Sequence, residues 1–260
     1  MSDLAFYGGE KSVTYQGKHF EWPLLSDETI KAVNDYLKNR EPLSIATRTG
    51  IVKKLEDTIS DYVGVKYVLS TNSGSNALYA AYVALNVEPG SEVIVQNLTF
   101  HASISPAMHC GLTPVLVDVE PDTGNVSVEA IRKAITNKTK ILVINHTWGH
   151  PADMDSIVPL CKEFGIKLIE DCSHSFGATY KGRKVGTFGD ISVASMQASK
   201  TLTAGEGGLL MTNNSEYYQR ASLVGHYRGR SETEVTDKQL SRYGSTGMGL
   251  KFRIHPLAAV

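Results

Sequence analysis

The side chain best suited to covalent chemistry is that of Lys200, within the segment SMQASKTLTAGEGGLL of residues 195–210. Its neighbours are small and uncharged up to Glu206, and such surroundings favour a neutral amine that can attack a carbonyl carbon. The glycines that follow permit tight backbone turns and the close approach of a flat ligand. Because most loop lysines are simply solvated, a nucleophilic role depends on which other groups lie nearby.

Asp171 is a second candidate, because it ends the apolar run KLIED of residues 167–171. An aspartate in that position can cap the helix that follows a strand. It can also hold a proton on a heterocyclic ring nitrogen, since its negative charge stabilises the protonated form. Both interpretations stay open until the other groups near this residue are considered.

The segment TNSGSNAL (71–78) is a third candidate, since Gly74 and Ser75 come where a strand passes into a helix. The first N–H groups of a helix have no acceptor and lie at the positive end of the helix dipole, so they can bind a phosphate. Serine and asparagine are also good N-caps without any ligand. Taken alone, the segment is compatible with either role.

Seven short apolar runs, each of the length of a buried strand, must position these groups. Most are separated by stretches with helical spacing, among them 74–86, 127–135 and 155–165. This alternation predicts an α/β fold, with a mostly parallel seven-stranded sheet and helices on both faces. The last run follows the sixth without room for a crossover helix, so one strand should run against the others. The runs are YVLS (67–70), EVIVQ (92–96), PVLVDV (114–119), KILVIN (140–145), KLIED (167–171), ISVAS (191–195) and GGLLMT (207–212).

In such sheets ligands bind at the carboxyl ends of the strands, which is where the three candidate groups lie. A phosphate seat, an acid for a ring nitrogen and a lysine for an aldehyde together predict a pyridoxal 5'-phosphate site. The sequence has no G-x-G-x-x-G after a strand, no complete P-loop, no G-x-S-x-G and no H-E-x-x-H. Its histidines also lack the spacing of metal ligands, so no metal site is predicted.

Composition restricts the partners of the protein. The chain has 260 residues, and its 26 Lys and Arg against 27 Asp and Glu give a net charge of -1. We therefore expect no nucleic acid partner and no attraction to an anionic membrane. With neither a leader-like start nor a long apolar run, a cytoplasmic protein is expected. Cys110, Cys161 and Cys172 are widely spaced and are predicted to be free thiols.

Six segments of the sequence carry a resemblance to a known family. On these segments, in this order, the chain from about residue 22 resembles the DegT/StrS group of pyridoxal phosphate-dependent aminotransferases. That group has fold type I and acts on nucleotide-linked keto-sugars and on cyclitol ketones. The segments are GVKYVLSTNSGSNAL, EVIVQNLTFHAS, PVLVDVEPDTGNV, GHPADMDSI, IEDCSHSFGA and SKTLTAGEGG.

The resemblance implies roles for the residues around the cofactor ring. Lys200 would carry the cofactor as a Schiff base and later move the proton between cofactor and substrate carbon. Asp171 would bind the pyridine nitrogen, and Phe100 would stack on the ring. His174 stands where relatives often have glutamine, and it is expected near the ring.

The resemblance also implies how the cofactor phosphate is bound. Gly74, Ser75 and Ser195 are expected to contact it. In relatives, an asparagine in the segment G-x-N-[YF]-R reaches the phosphate of the partner subunit, whereas this chain has Lys251 at that position. A lysine can serve a phosphate as a point charge.

The resemblance divides the chain into an N-terminal arm (1–25), a cofactor-binding large domain (26–248) and the start of a small C-terminal domain (249–260) that is largely absent. It implies a homodimer with a shared active site. The expected reaction is a transamination in which glutamate or glutamine leaves pyridoxamine phosphate, which then aminates the ketone of a nucleotide-linked sugar or a cyclitol. The alternative is a truncated, non-catalytic relative that acts as a binding or regulatory protein.

Overall fold

The computed structural model describes residues 4–16 and 22–260. Residues 1–3 and 17–21, which belong to the predicted N-terminal arm, lie outside the described residues. In the described part of the chain, no helix is both long and apolar enough to cross a membrane. The three cysteines are free thiols, as predicted.

The helices and strands alternate along most of the chain. The α-helices of the described residues are α1 (Asp27–Lys38), α2 (Gly50–Val63), α3 (Gly74–Leu85), α4 (Ser105–His109), α5 (Val128–Ala134), α6 (Met154–Phe164), α7 (Ser215–Ser222), α8 (Arg230–Glu234) and α9 (Pro256–Ala259). The strands are β1 (Tyr67–Thr71), β2 (Glu92–Gln96), β3 (Thr113–Val117), β4 (Thr139–Asn145), β5 (Lys167–Asp171), β6 (Thr179–Tyr180), β7 (Arg183–Lys184), β8 (Ile191–Ser195) and β9 (Gly208–Thr212). Three-residue or four-residue 3-10 helices cover Ala5–Tyr7, His101–Ser103, Thr147–Gly149, Leu240–Tyr243 and Gly247–Gly249.

Seven strands form one sheet in the order β1-β9-β8-β5-β4-β2-β3. Strand β9 is antiparallel to both of its neighbours, and the other pairs are parallel. The predicted mostly parallel sheet with one reversed strand is therefore confirmed. Strands β6 and β7 form a separate antiparallel hairpin that the sequence pattern did not predict.

Both faces of the sheet are covered by helices, as predicted. One face packs against α3, whose small residues Ala77, Ala80, Ala81 and Ala84 are fully buried and let the helix lie close to the strands. The opposite face carries two apolar clusters, one with α2 and one with α5 and α6. Since the middle strands are buried on both sides, their sequences are continuous apolar runs without alternation.

The last twelve residues of the chain pack onto the same cores. Phe252 belongs to the cluster that contains α3, while Ile254 and Ala259 belong to the cluster that contains α2. A β-bridge between Thr71 and Arg253 joins this segment to the end of β1. The division of the chain at residue 248 remains a prediction.

Candidate functional site

A cavity of about 410 Å³ opens at the carboxyl ends of the parallel strands. It brings together the seven residues expected to contact the cofactor within one subunit, although they come from segments far apart in the chain; Lys251, expected to reach the phosphate of the partner subunit, is not among its lining residues. The ends of β5 and β8, the start of α3, and the loops after β2 and β8 each contribute to its wall. The predicted lining residues are Gly74, Ser75, Phe100, Asp171, His174, Ser195 and Lys200.

One end of the cavity is the N-terminus of α3. Ser73 caps the helix, with its hydroxyl accepting the N–H of Asn76 at 3.2 Å. The N–H groups of Gly74 and Ser75 have no acceptor in a preceding helical turn, so they are free for an anion. A Cβ on Gly74 would lie 2.8 Å from the Cβ of Ser195, so only glycine lets the helix approach that serine so closely.

Asp171 ends β5, lines the cavity and is 4% exposed. One carboxylate oxygen accepts the hydroxyl of Ser103 at 3.0 Å, and the other accepts the N–H of Ser173 at 3.0 Å. In the described part of the chain, no Lys, Arg or His forms an ion pair with this carboxylate. A buried negative charge without a cation fits a ligand that brings a protonated ring nitrogen.

Lys200 is presented by a hairpin-like loop that connects β8 and β9. Backbone bonds from Met196 to Gly207 at 2.8 Å and from Ala198 to Gly205 at 2.9 Å close this loop. Within the loop, the backbone N–H of Lys200 donates to the carbonyl of Gln197 at 2.8 Å, which closes a turn that ends at the lysine. The side chain is half-buried, and no ion pair involves it among residues 4–16 and 22–260. Lys200 therefore lines the cavity without an ion-pair partner in the described chain, and the carboxylates of Asp171 and Glu206 line the same cavity.

His174 and Phe100 also line the cavity. Burial, reinforced by the charge of Lys200, lowers the pKa of His174, and the carboxylate of Asp171 opposes that shift. The buried Nδ1 of His174 has no hydrogen-bond partner in the described chain. Phe100 is 59% exposed, so its ring is open to a flat ligand at the cavity mouth.

Other polar residues line the cavity that the sequence analysis did not single out. Asn145 ends β4 and is paired in register with Asp171, so the rule that ligands bind at strand ends applied to it equally. Ser173, Gln197 and Glu206 also line the wall, but no sequence signal distinguished them from ordinary loop residues. Ser103 orients Asp171 from a distant loop, a contact that only the folded chain creates.

A second cluster lies on the opposite face of the sheet and resembles a metal site by distance alone. Ligand atoms of His146, Glu170 and Cys172 lie within 4.8 Å of one another. The Nδ1 of His146 accepts the N–H of Ala152 at 3.0 Å, so its Nε2 carries a proton toward Glu170, 3.3 Å away. Burial raises the pKa of the Cys172 thiol well above its usual range. The carboxylate also accepts the N–H groups of Gly186, Phe188 and Gly189. The histidine and the carboxylate of this cluster therefore belong to a buried hydrogen-bonded network of the fold.

The sequence of residues 23–260 matches the DegT/DnrJ/EryC1/StrS aminotransferase family. A GDP-perosamine synthase of Escherichia coli O157:H7 is 39% identical over 208 residues, which are 80% of this chain and 56% of that protein. An L-glutamine:scyllo-inosose aminotransferase of Streptomyces griseus is 35% identical over 249 residues, 94% of this chain and 58% of the relative. The solved aminotransferase of Psychrobacter cryohalolentis superimposes with a TM-score of 0.83 at 32% identity, covering 92% of this chain and 61% of that one.

The chain spans a little over half the length of these curated relatives. The superposition shows that its sheet and helices are those of the fold type I aminotransferases, as predicted. Members of this family bind pyridoxal phosphate or pyridoxamine phosphate. On the match of residues 23–260 and the shared fold, the chain belongs to the DegT/DnrJ/EryC1/StrS aminotransferase family.

Proposed function

We propose that this chain is the cofactor-binding part of a pyridoxal phosphate-dependent aminotransferase, which converts a keto-sugar or cyclitol ketone to its amine. The observation that carries the proposal is the meeting of three groups in one cavity: the amine of Lys200, the carboxylate of Asp171, which lacks a cation, and the open N-terminus of α3. An amine, an acid and an anion seat are what this cofactor requires.

The residues of the cavity fit the cofactor. Asp171 would hold the ring nitrogen in its protonated form, because the negative charge of its carboxylate favours a positive ring and no cation of the described chain pairs with it. The N–H groups of Gly74 and Ser75, together with the hydroxyl of Ser195, would hold the phosphate. When bound, the cofactor supplies an electron sink for the carbon that gains or loses the amine.

Lys200 would bind the cofactor covalently and act as the proton carrier of the reaction. Lys200 lines the cavity from the loop after β8, the strand that ends at Ser195. A freed amine in that place can take a proton from the donor carbon and return one to the acceptor carbon. His174 would contact the ring edge, and Phe100 would stack on its face and exclude water.

The donor and acceptor are proposed from the relatives. The scyllo-inosose relative is named for glutamine as donor, and the perosamine relative for a GDP-linked sugar, so glutamate or glutamine and a ketone of either acceptor type are the substrates to test. We also propose a homodimer with a shared site. Apart from Lys200, the residues that line the cavity in the described chain include no Lys or Arg, and a partner subunit's Lys251 would add a cation for the phosphate.

The experiment that tests the proposal is reduction of the cofactor-loaded chain. Purified protein is mixed with pyridoxal phosphate, its visible absorbance is recorded, borohydride is added, and the modified lysine is mapped by mass spectrometry. We expect one labelled residue, Lys200. Lys200→Ala should lose the band and the label, whereas Lys140→Ala, which changes an exposed lysine bonded to a neighbouring carbonyl, should keep both.

A folded chain that shows no band and no label would contradict the proposal. Labelling at other lysines in proportion to their exposure would contradict it as well, because it would mean nonspecific modification. In either case the alternative, a non-catalytic relative that serves as a binding or regulatory protein, would replace the enzyme.

A further inference from the structure

Trp148 has a backbone conformation that its side chain does not favour. Its φ of 50° and ψ of 29° lie in the left-handed region, which crowds the Cβ of every residue except glycine. The next residue, Gly149, has a φ of 91°. Strained backbone of this kind persists only where the surrounding structure imposes it, and it occurs most often at functional sites.

A buried polar network imposes this conformation on the turn. The N–H of Thr147 donates to Oδ1 of Asn125 at 2.9 Å, and its hydroxyl donates to the carbonyl of Gly124 at 2.9 Å. Nε2 of Gln96 donates to the same hydroxyl at 3.0 Å. The three polar side chains are almost completely buried. The network therefore fixes the direction in which Trp148 leaves the turn.

The network does not bury the indole ring, which is 76% exposed. The ring lies over Gly124 beside Leu98: a Cβ built on that glycine would be 3.6 Å from the ring and 3.4 Å from the leucine side chain. We call the exposed surface of Leu98 and Trp148 the apolar shelf. A rigid, strained turn that holds an aromatic ring in solvent does not serve the core, so the ring is available for a ligand.

The apolar shelf adjoins the cavity on the side away from the phosphate seat. Leu98 precedes the cavity residue Phe100 by two positions in the loop after β2, and Trp148 follows the cavity residue Asn145 by three after β4. These strands are neighbours in the sheet, so the two loops leave the same edge side by side. A Cβ on Gly149 would lie 3.5 Å from the carbonyl of His174, which places the turn against the cavity wall.

The charges around the apolar shelf favour an uncharged ligand. The loops that form it and support it are 97–103, 118–125 and 146–151, and their sequences contain no Lys and no Arg. They contain the carboxylates of Asp118, Glu120 and Asp122. A nucleoside diphosphate would bring negative charge to this acidic surface, whereas a polyol ring brings none and can place a C–H face on an indole.

We propose that the apolar shelf of Leu98 and Trp148 is the outer acceptor subsite, and that it selects a neutral, ring-shaped polyhydroxy ketone over a nucleotide-linked one. This inference rests on the proposed aminotransferase function. In it, Trp148 is a binding residue that stacks on the ring of the acceptor and places its carbonyl toward Lys200.

The chain contains two tryptophans, so the subsite can be observed directly. In Trp22→Phe, loaded with cofactor, the remaining tryptophan emission comes from Trp148. We expect scyllo-inosose to change this emission in a saturable way, and a GDP-linked 4-keto-sugar at equal concentration to leave it unchanged. This titration needs no turnover, so it is independent of the borohydride result, which tests the proposed function itself.

Three variants at one position give the matched comparison. Trp148→Ala should raise KM for scyllo-inosose about tenfold with little change in kcat, because stacking is lost while the reacting groups stay in place. Trp148→Phe should keep most of the affinity. Trp148→Gly should lose affinity as Ala does, yet its urea midpoint should not fall, because glycine accepts the left-handed backbone.

Three results would overturn the inference. One is an unchanged KM in Trp148→Ala, and another is a saturable emission response to the GDP-linked sugar in place of the cyclitol ketone. The third is an emission that shifts with protein concentration in the absence of acceptor, because that shift would mean that a second copy of the chain covers the apolar shelf. A saturable response to scyllo-inosose without trapping at Lys200 would support the subsite while contradicting the proposed reaction.

Discussion

Replacing Gly74 by alanine tests the phosphate seat most directly. The new Cβ would lie 2.8 Å from the Cβ of Ser195, about 0.7 Å closer than the roughly 3.5 Å at which two carbon atoms pack well. Since Ser195 is held within β8, the first turn of α3 has to move away from it. A hydrogen bond of about 2.9 Å from that turn to a phosphate would lengthen to about 3.6 Å, beyond the useful range.

Loss of one hydrogen bond to a charged group is worth about 1.5–3 kcal/mol. We therefore expect Gly74→Ala to bind pyridoxal phosphate about 10- to 150-fold more weakly, as measured by titration of the visible absorbance. Ser75→Ala is the matched control, because it removes one hydroxyl of the same turn and introduces no clash. It should weaken binding less.

Thermal unfolding of both variants without cofactor shows whether the substitution displaces only the first turn of α3 or destabilises the whole chain. A Gly74→Ala chain that binds the cofactor as tightly as the parent would refute the assignment of the α3 N-terminus as the phosphate seat. Weaker cofactor binding by Gly74→Ala supports the phosphate seat when the variant still unfolds cooperatively and Ser75→Ala binds the cofactor more tightly than it does.

Two further predictions concern stability. Glu170→Gln should lower the free energy of unfolding, measured with urea, by about 3 kcal/mol. The reason is that a buried carboxylate that accepts three backbone N–H groups loses its charge. Cofactor affinity should stay the same, because this side chain lies on the opposite face of the sheet from the cavity. Burial, helped by the charges of Arg230 and Arg253, lowers the pKa of His226 well below its usual value. Below about pH 6.5 the unfolded chain therefore takes up a proton that the folded chain does not. As the pH decreases further, the free energy of unfolding should fall with a slope approaching about 1.4 kcal/mol per pH unit. His226→Asn should reduce that slope between pH 6.5 and 5, and an identical slope in the variant would contradict the explanation.

Several features of the protein follow from the local sequence. The runs 92–96, 167–171 and 191–195 are strands with the predicted bounds, because a buried parallel strand requires a short continuous apolar run. Lys200 and Asp171 were recognisable because each has a chemically distinctive side chain beside such a run. The short step between the last two runs also determined that β9 is antiparallel.

Other features depend on pairings between distant parts of the chain. The register of β4 with β5 places Asn145 beside Asp171, and the packing of α3 on β8 places Gly74 against Ser195. Neither relation has a local signal, because strand order and helix position are set by which apolar faces bury one another.

The difference between what the local sequence determines and what distant contacts determine is clearest at the cavity and at the apolar shelf. The sequence alone predicted the residue types of a cofactor site, since an amine, an acid and a glycine at a helix start have the same chemistry in any fold. Only the tertiary structure decided that they share one cavity, and that Trp148 is held in a left-handed turn by buried side chains from other segments. A backbone conformation that opposes the preference of its own residue cannot be deduced from that residue, because the energy that maintains it comes from elsewhere in the fold.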